Sequence, residues 1–276
     1  MELDIIKAVQ MLSSPLFDNI FKIITLFGEE LILIPILSYF YWCTDKKKGI
    51  YVIESTAVAL TTGNIIKNIF KMPRPIGEEG IRSIYTETAT GYSMPSIHTS
   101  NISSVLTSIN ILNGGIKSSF LSLIVVFLVG FSRIYLGVHY PKDVLVGLVL
   151  GIVSSFVVCF LFEKLRNELL VSLIITAMMS LGFFVDVSAD FFKSYGLCVG
   201  ISFGLLLEKS VVDFKEPKNS RCKTLRLVFG LLSSGLIYMI LKAYMPTANI
   251  YCLVRYFILA FYSIGVYPMI FKKLKI

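Results

Sequence analysis

Nine mostly apolar runs, at roughly 17–42, 50–70, 98–113, 118–137, 143–162, 169–187, 191–208, 224–243 and 251–271, take up most of the 276 residues. A helix crossing a bilayer needs about 20 apolar residues at 1.5 Å each. Within hydrocarbon the backbone must satisfy its own hydrogen bonds, which leaves helices or closed barrels. Runs of this length predict an all-α polytopic transmembrane helix bundle of about nine spans. The composition agrees: 55% of residues are hydrophobic and 16% charged, against about 25% charged in a soluble domain. Mean hydropathy is +0.76. A water-soluble globule of this size cannot hide so much apolar surface. A soluble enzyme, a nucleic-acid-binding domain and a disordered chain are therefore excluded.

The net charge of +8 fits this reading. With nine spans the two ends lie on opposite sides of the membrane. If the C-terminus is inside, 15 of the 26 Lys and Arg residues fall on inner segments and eight on outer ones, the usual positive-inside bias. The basic loops would also meet anionic membrane lipids, and no nucleic-acid partner is expected. This arrangement puts segments 71–97 and 137–142 on the same outer face. Residues 2–13 read as an amphipathic helix on the membrane surface, and no cleavable signal peptide is evident. Gly28-Glu29-Glu30 interrupts the first run, and the third run is short and polar. Cys43, Cys159, Cys198, Cys222 and Cys252 form no CxxC and no Cys/His cluster; they read as small hydrophobes.

Three polar clusters break the apolar pattern: Lys67 to Pro75, Met94 to His98, and Ser132 to Asp143. His98 and His139, the chain's two histidines, both sit where a loop enters a span. Pro95 and Pro141 suit the first turn of a following helix, whose free N–H groups and dipole attract anions. Arg74 and Arg133 add planar, permanently charged forks suited to phosphate, and Lys67 adds a compact charge. A single interfacial histidine or loop arginine would be ordinary. Their convergence on one membrane face describes a phosphoryl-transfer site built without a metal or cofactor.

These residues resemble a known family. Lys67-x6-Arg74-Pro75, Pro95-Ser96-x-His98 and Ser132-Arg133-x5-His139-x3-Asp143 are similar to the three signature motifs of the type 2 phosphatidic acid phosphatases. That family also includes sphingosine-phosphate phosphatases and glucose-6-phosphatase, the branch this chain looks closest to. The resemblance covers 67–143 directly and implies a phosphatase core over 1–163, with four additional C-terminal spans over 164–276. It implies that His139 attacks phosphorus to form a phosphohistidine, that Asp143 fixes the tautomer of His139, and that His98 is the general acid. Lys67, Arg74, Ser96 and Arg133 would hold the phosphoryl oxygens. One departure is Ile97, where the second motif usually has Gly. The implied substrate is a lipid phosphate or pyrophosphate, met at the extracytoplasmic face of the cell membrane. A soluble phosphoester, or a non-catalytic lipid-binding or transport role, would be the alternatives. Glu54, inside the second span, is expected to find an interhelix partner. Asp186 and Asp190 are expected to be solvated. Tyr85 and Tyr92 suit either a headgroup pocket or the interfacial belt. The aromatic stretch 251–271 is expected to face lipid.

Overall fold

The computed structural model describes residues 1–114 and 116–276, side chains 116–118 excepted; Lys117, counted above among the inner cations, falls outside that set. Among the described residues the chain is helical throughout, with no strand. It begins with α1 (Glu2–Gln10) and α2 (Pro15–Thr25). Ser14 caps α2, its Oγ accepting from the Phe17 N–H, and Pro15 takes the first position, where its missing N–H costs nothing. A 3₁₀ turn at Leu26–Gly28 then breaks the first apolar run before α3 (Glu30–Tyr39).

The long central helix α4 (Lys46–Phe70) is capped by Asp45, whose carboxylate accepts from the Lys47 and Lys48 N–H groups. It stops at Lys71, in the left-handed region at φ 47°, just ahead of Pro73. Then come α5 (Ile97–Asn113), α6 (Ile116–Tyr135), α7 (Pro141–Leu165), α8 (Glu168–Met179) and α9 (Ala189–Leu207). The chain closes with α10 (Ser220–Tyr244), α11 (Asn249–Phe261) and α12 (Tyr267–Lys273).

Each apolar run has a helical counterpart. Among the described residues five stretches can cross a membrane by length and composition, 46–70, 141–165, 189–212, 220–244 and 249–273, and three shorter apolar helices lie at 30–44, 119–135 and 168–184. The nine apolar runs thus differ in length and continuity. The first run is broken in its middle. The third, α5, is only 17 residues long and rich in Ser, Thr and Asn, which it buries against neighbouring helices.

α4 is the most enclosed of the long helices and packs against α5, α7, α8 and α9. Hydroxyl ladders knit the bundle: Ser108 donates to Ser155, which donates on to the Ser104 carbonyl, and Ser172 and Thr176 meet Ser202. Interhelical bonds of this kind are worth about 0.6 kcal/mol each in a membrane. α9 and α11 form the tightest helix pair. A Cβ placed on Gly196, Gly200 or Gly204 would come within 2.4–2.7 Å of Leu253, Phe257 or Ile264 atoms, so the three small residues let the backbones approach. The outward faces of α7 and α10 expose Leu145, Val149, Phe156, Leu232, Leu236 and Met239, the surface a bilayer would cover.

The two ends of the bundle are chemically distinct. At one end Lys46 Nζ bonds Glu208 at 2.8 Å and Asp213 at 2.9 Å, and Arg226 donates to the Trp42 and Lys215 carbonyls. At the other end the 71–96 loop meets the α6–α7 connection, where the Ile84 N–H donates to the Leu136 carbonyl. The shared face expected for 71–97 and 137–142 is thus formed. α1 does not simply lie on a membrane surface. It ends at Gln10, buries Ile6, and docks there through Gln10, which donates to the Arg82 and Tyr135 carbonyls, and through a Glu2–Lys142 ion pair at 2.7 Å. Cys43, Cys198 and Cys252 are buried and Cys159 and Cys222 half-buried, all as free thiols.

Candidate functional site

His139 ends the short α6–α7 connection. That connection turns at Gly137, at φ 69°, where a Cβ would sit 2.4 Å from the Arg82 carbonyl oxygen. Only glycine fits, because both the conformation and the space demand it. Tyr140 then caps α7, Pro141 opens it, and Asp143 sits in its first turn at the positive end of the helix dipole. Asp143 Oδ2 accepts from Ser93 Oγ at 2.5 Å, from the Tyr140 N–H at 2.9 Å and from His139 Nδ1 at 3.3 Å. The His139 ring is 2% exposed and the Asp143 side chain fully buried.

On the other side of the His139 ring, Arg74 Nη1 lies 3.0 Å from Nε2. A guanidinium can only donate, so Nε2 must accept. Nε2 therefore carries the lone pair, and Nδ1 carries the proton that faces Asp143. Burial, and then the charges of Arg74, Lys67 and Arg133, hold His139 well below the usual imidazole range, which keeps the ring neutral.

Arg74 is fixed by carbonyls: Nε donates to Gly91 at 3.0 Å, Nη2 to Thr90 at 2.7 Å and Nη1 to Val138 at 2.8 Å. Burial pulls it down to about 10, still charged at neutral pH. Lys67, near the C-terminal end of α4, reaches the Tyr92 and Ser93 carbonyls. Arg133 is fully buried on α6 and donates from Nη1 to Thr25 at 2.9 Å; its Nε and Nη2 have no hydrogen-bond partner among the described residues. Unpaired donors of this kind suit an anion's oxygens.

His98 lies in the first turn of α5 and shares a cavity of about 320 Å³ with His139, Arg74 and Lys67. Its Nε2 is 3.3 Å from Glu29 Oε1, and the other oxygen of Glu29 accepts from Tyr85 at 3.3 Å. The break at Gly28-Glu29-Glu30 makes this contact possible. A Cβ on Gly28 would come within 2.7–2.9 Å of His98 atoms.

The cavity thus brings His98, His139, Lys67 and Arg74 together. Arg133 and Asp143 stand behind its wall. Ser96 does not face it: its Oγ accepts from Thr99 at 3.0 Å and its N–H donates to the Asp143 carbonyl at 2.9 Å. Ser96 is the α5 cap and a tie to α7 rather than a residue aimed at phosphate, and Pro95 lies just outside that cap, not in the first turn. Ile97 opens α5 without a positive φ, and Gly63 makes room for its side chain. Its place in the motif needs no glycine.

Other expectations change. Glu54 is fully buried, and neither oxygen has a partner among the described residues. Asp190 is not merely solvated; it lines the cavity and pairs with Lys193 at 2.6 Å, whereas Asp186 is an exposed partner of Lys71. Tyr85 holds Glu29, and Tyr92 contributes its carbonyl. Tyr256, in the stretch expected to face lipid, lines the cavity, and its neighbours Cys252, Arg255, Tyr267 and Phe271 are buried. Sequence reasoning missed Ser93 and the roles of Glu29 and Lys193. Of these, only the carboxylates breaking an apolar run were visible as a signal. Among the described residues no group of three or more His, Cys, Asp and Glu side chains is placed to hold a metal.

Comparisons with known proteins bear on the same residues. A family model described as the PAP2 superfamily matches residues 48–167, and one described as the transmembrane extension of PAP2 superfamily phosphatases matches 192–276. The chain is 30% identical over 168 residues to a probable sphingosine-1-phosphate phosphatase of Dictyostelium discoideum, covering 55% of this chain but only 40% of that protein. It is 31% identical to the undecaprenyl-diphosphatase BcrC of Bacillus subtilis, covering 60% of this chain and 86% of that one. In structure it is similar to LpxE of Aquifex aeolicus, with a TM-score of 0.50 and 27% identity over 57% of this chain and 94% of that one. With three motifs folded around one cavity and a relative matched over nearly its whole length, the chain is a multi-pass membrane protein that belongs to the PAP2 superfamily.

Proposed function

We propose that the chain is an integral-membrane phosphatase that hydrolyses a lipid phosphate or pyrophosphate through a phosphohistidine. The observation that carries this reading is the pairing on one ring. Arg74 lies at 3.0 Å on the His139 Nε2 lone pair, Asp143 lies opposite at Nδ1, and His98 faces the same cavity. The names of the relatives supply the substrate class: one a sphingosine-1-phosphate phosphatase, the other an undecaprenyl-diphosphatase.

In the first step Nε2 of His139 attacks phosphorus, and Arg74 moves from Nε2 to a phosphoryl oxygen. The bond from phosphorus to the leaving oxygen breaks, and His98 gives that oxygen its proton. The Asp143 carboxylate steadies the positive charge that grows on the imidazole. In the second step His98 takes a proton from water, which attacks the phosphohistidine and releases inorganic phosphate. Lys67 and Arg74 hold the charge that stays on the phosphoryl group throughout, and Arg133 adds positive charge from behind the cavity wall. Ser96 supports the site from the start of α5. Residues 1–163 form the phosphatase core and 164–276 the extension. The face carrying the site is extracytoplasmic in a cell membrane, by the positive-inside bias. Lipid tails then stay in the bilayer while the phosphate reaches the cavity.

The test is phosphate release by purified protein in the presence of EDTA. His139→Ala is expected to lower kcat/KM by at least about a thousandfold, as removal of a covalent nucleophile does. Turnover within tenfold of the parent would overturn the nucleophile assignment.

A further inference from the structure

The break in the first apolar run is set directly against His98. A Cβ on Gly28 would come within 2.7–2.9 Å of the His98 backbone oxygen, Cβ and Cα, so the turn touches the start of α5 at its backbone. The same turn follows Thr25, which accepts from Arg133 Nη1 at 2.9 Å. The next residue, Glu29, lines the cavity and brings its Oε1 to 3.3 Å from His98 Nε2; the two side chains are 15% and 11% exposed. Glu29 Oε2 accepts from the Tyr85 hydroxyl at 3.3 Å. Tyr85 lies in the left-handed region at φ 58°, where a bulky residue is rare and must be held by its surroundings. Three segments distant in sequence thus end on one carboxylate–imidazole pair.

His139 and Asp143 offer the comparison. There the carboxylate takes Nδ1 and leaves Nε2 to react. At His98 the carboxylate takes Nε2, which leaves Nδ1 as the other ring nitrogen. His98 shares its cavity with Arg74 and Lys67, and cations oppose an imidazolium. Glu29 is the carboxylate in contact with the ring, and an adjacent negative charge favours the protonated form.

We propose that Glu29 is the positioning residue of the proton donor: it fixes the His98 ring through Nε2–H, assigns proton transfer to Nδ1, and supports the imidazolium that the first step consumes. The inference rests on the phosphatase reading above and deepens it. In the first step the Nδ1 proton passes to the leaving oxygen as the bond from phosphorus breaks, and Nδ1 keeps the electron pair. Neutral His98 then carries its one proton on Nε2, toward Glu29. The Nδ1 lone pair takes a proton from the attacking water in the second step, so the ring ends as it began. Glu29 stays a carboxylate throughout, with Tyr85 on its other oxygen. The site thus holds two carboxylate–imidazole pairs of opposite sense, one that frees Nε2 for phosphorus and one that frees Nδ1 for the proton.

The experiment compares two phosphate monoesters on the full chain in detergent. Dodecyl phosphate releases an alkoxide that leaves badly without a proton; 4-nitrophenyl phosphate releases a phenolate that needs none. Their ratio of kcat/KM reports the proton donor in the first step, and partial loss of folded protein cancels within one preparation. Glu29→Gln is expected to raise the ratio of the nitrophenyl to the dodecyl value by at least about tenfold, a share of what a general acid contributes. His98→Ala is expected to raise it at least as far, and adding Glu29→Gln to His98→Ala to change it by less than about twofold, because the carboxylate acts through the imidazole. Tyr85→Phe, which removes only the hydroxyl on Glu29 Oε2, is expected to move the ratio the same way by about threefold. A smaller rise in Glu29→Gln overturns the inference, as does a Glu29→Gln effect that persists in full without His98. Where Glu29→Gln yields too little protein to assay, an unmoved ratio in Tyr85→Phe overturns it. If the parent releases phosphate from neither ester, the phosphatase reading falls and this inference with it.

Discussion

Arg74 resting on His139 Nε2 does two jobs in one contact. It marks which nitrogen carries the lone pair, and it places a cation where the proposed mechanism brings the phosphoryl oxygens. The pH dependence follows from the direction in which His139 is displaced. Its folded-state value is depressed by burial and by neighbouring cations, so the neutral ring persists as pH falls through the ordinary imidazole value of about 6.5. The acid limb of kcat/KM is therefore expected below the ordinary imidazole value, and a profile recorded from pH 4 to 9 locates it. An acid limb centred at 6.5 would mean the ring is solvated rather than enclosed. Much at this scale was readable in the sequence. Lys67, Arg74, His98, Arg133, His139 and Asp143 carry charge or imidazole at fixed spacings, and no apolar span would keep them without a use. Ser93 was not readable, because one serine in a polar loop looks like any other until its hydroxyl is 2.5 Å from a carboxylate.

At the level of elements, apolar length was a good guide to where helices lie and a poorer one to which of them span. The break at 28–30 was visible, but its purpose was not: glycine there admits His98, and the residue after it meets the imidazole. The aromatic stretch 251–271 misled for a related reason. In a membrane protein an apolar surface can face lipid or another helix with the same residues, and composition does not distinguish the two. The distinction lay in Gly196, Gly200 and Gly204, spaced every four residues on α9, which bring α11 close enough to put Tyr256 at the cavity. Gly200→Leu forces a side chain into a place where even its Cβ would lie 2.5 Å from the Phe257 carbonyl oxygen. It is expected to separate α9 from α11 and lower the midpoint of thermal unfolding in detergent by several degrees. An unchanged midpoint would mean that the pair is not held by close backbone approach.

For the whole molecule, the site lies at one end of the bundle and a second set of ion pairs, around Lys46, Glu208 and Asp213, closes the other. Orientation then follows from the distribution of basic residues. In a cysteine-free background, Glu79→Cys is expected to react with an impermeant maleimide on intact cells, and Lys218→Cys only after permeabilisation. The opposite pattern would place the cavity inside. The chain's architecture was legible because hydrocarbon leaves few choices. The contribution of its C-terminal third to the cavity was not, because Lys193 and Tyr256 lie far beyond the last motif and are ordinary in composition.

The guanidinium that covers the reactive nitrogen has a consequence for selectivity over time. Without an anion the site offers stray electrophiles no lone pair, since Arg74 already lies on it. Only a guest with enough negative charge to draw the cation aside uncovers the ring, so in the proposed mechanism the anion to be cleaved is also what arms the nucleophile.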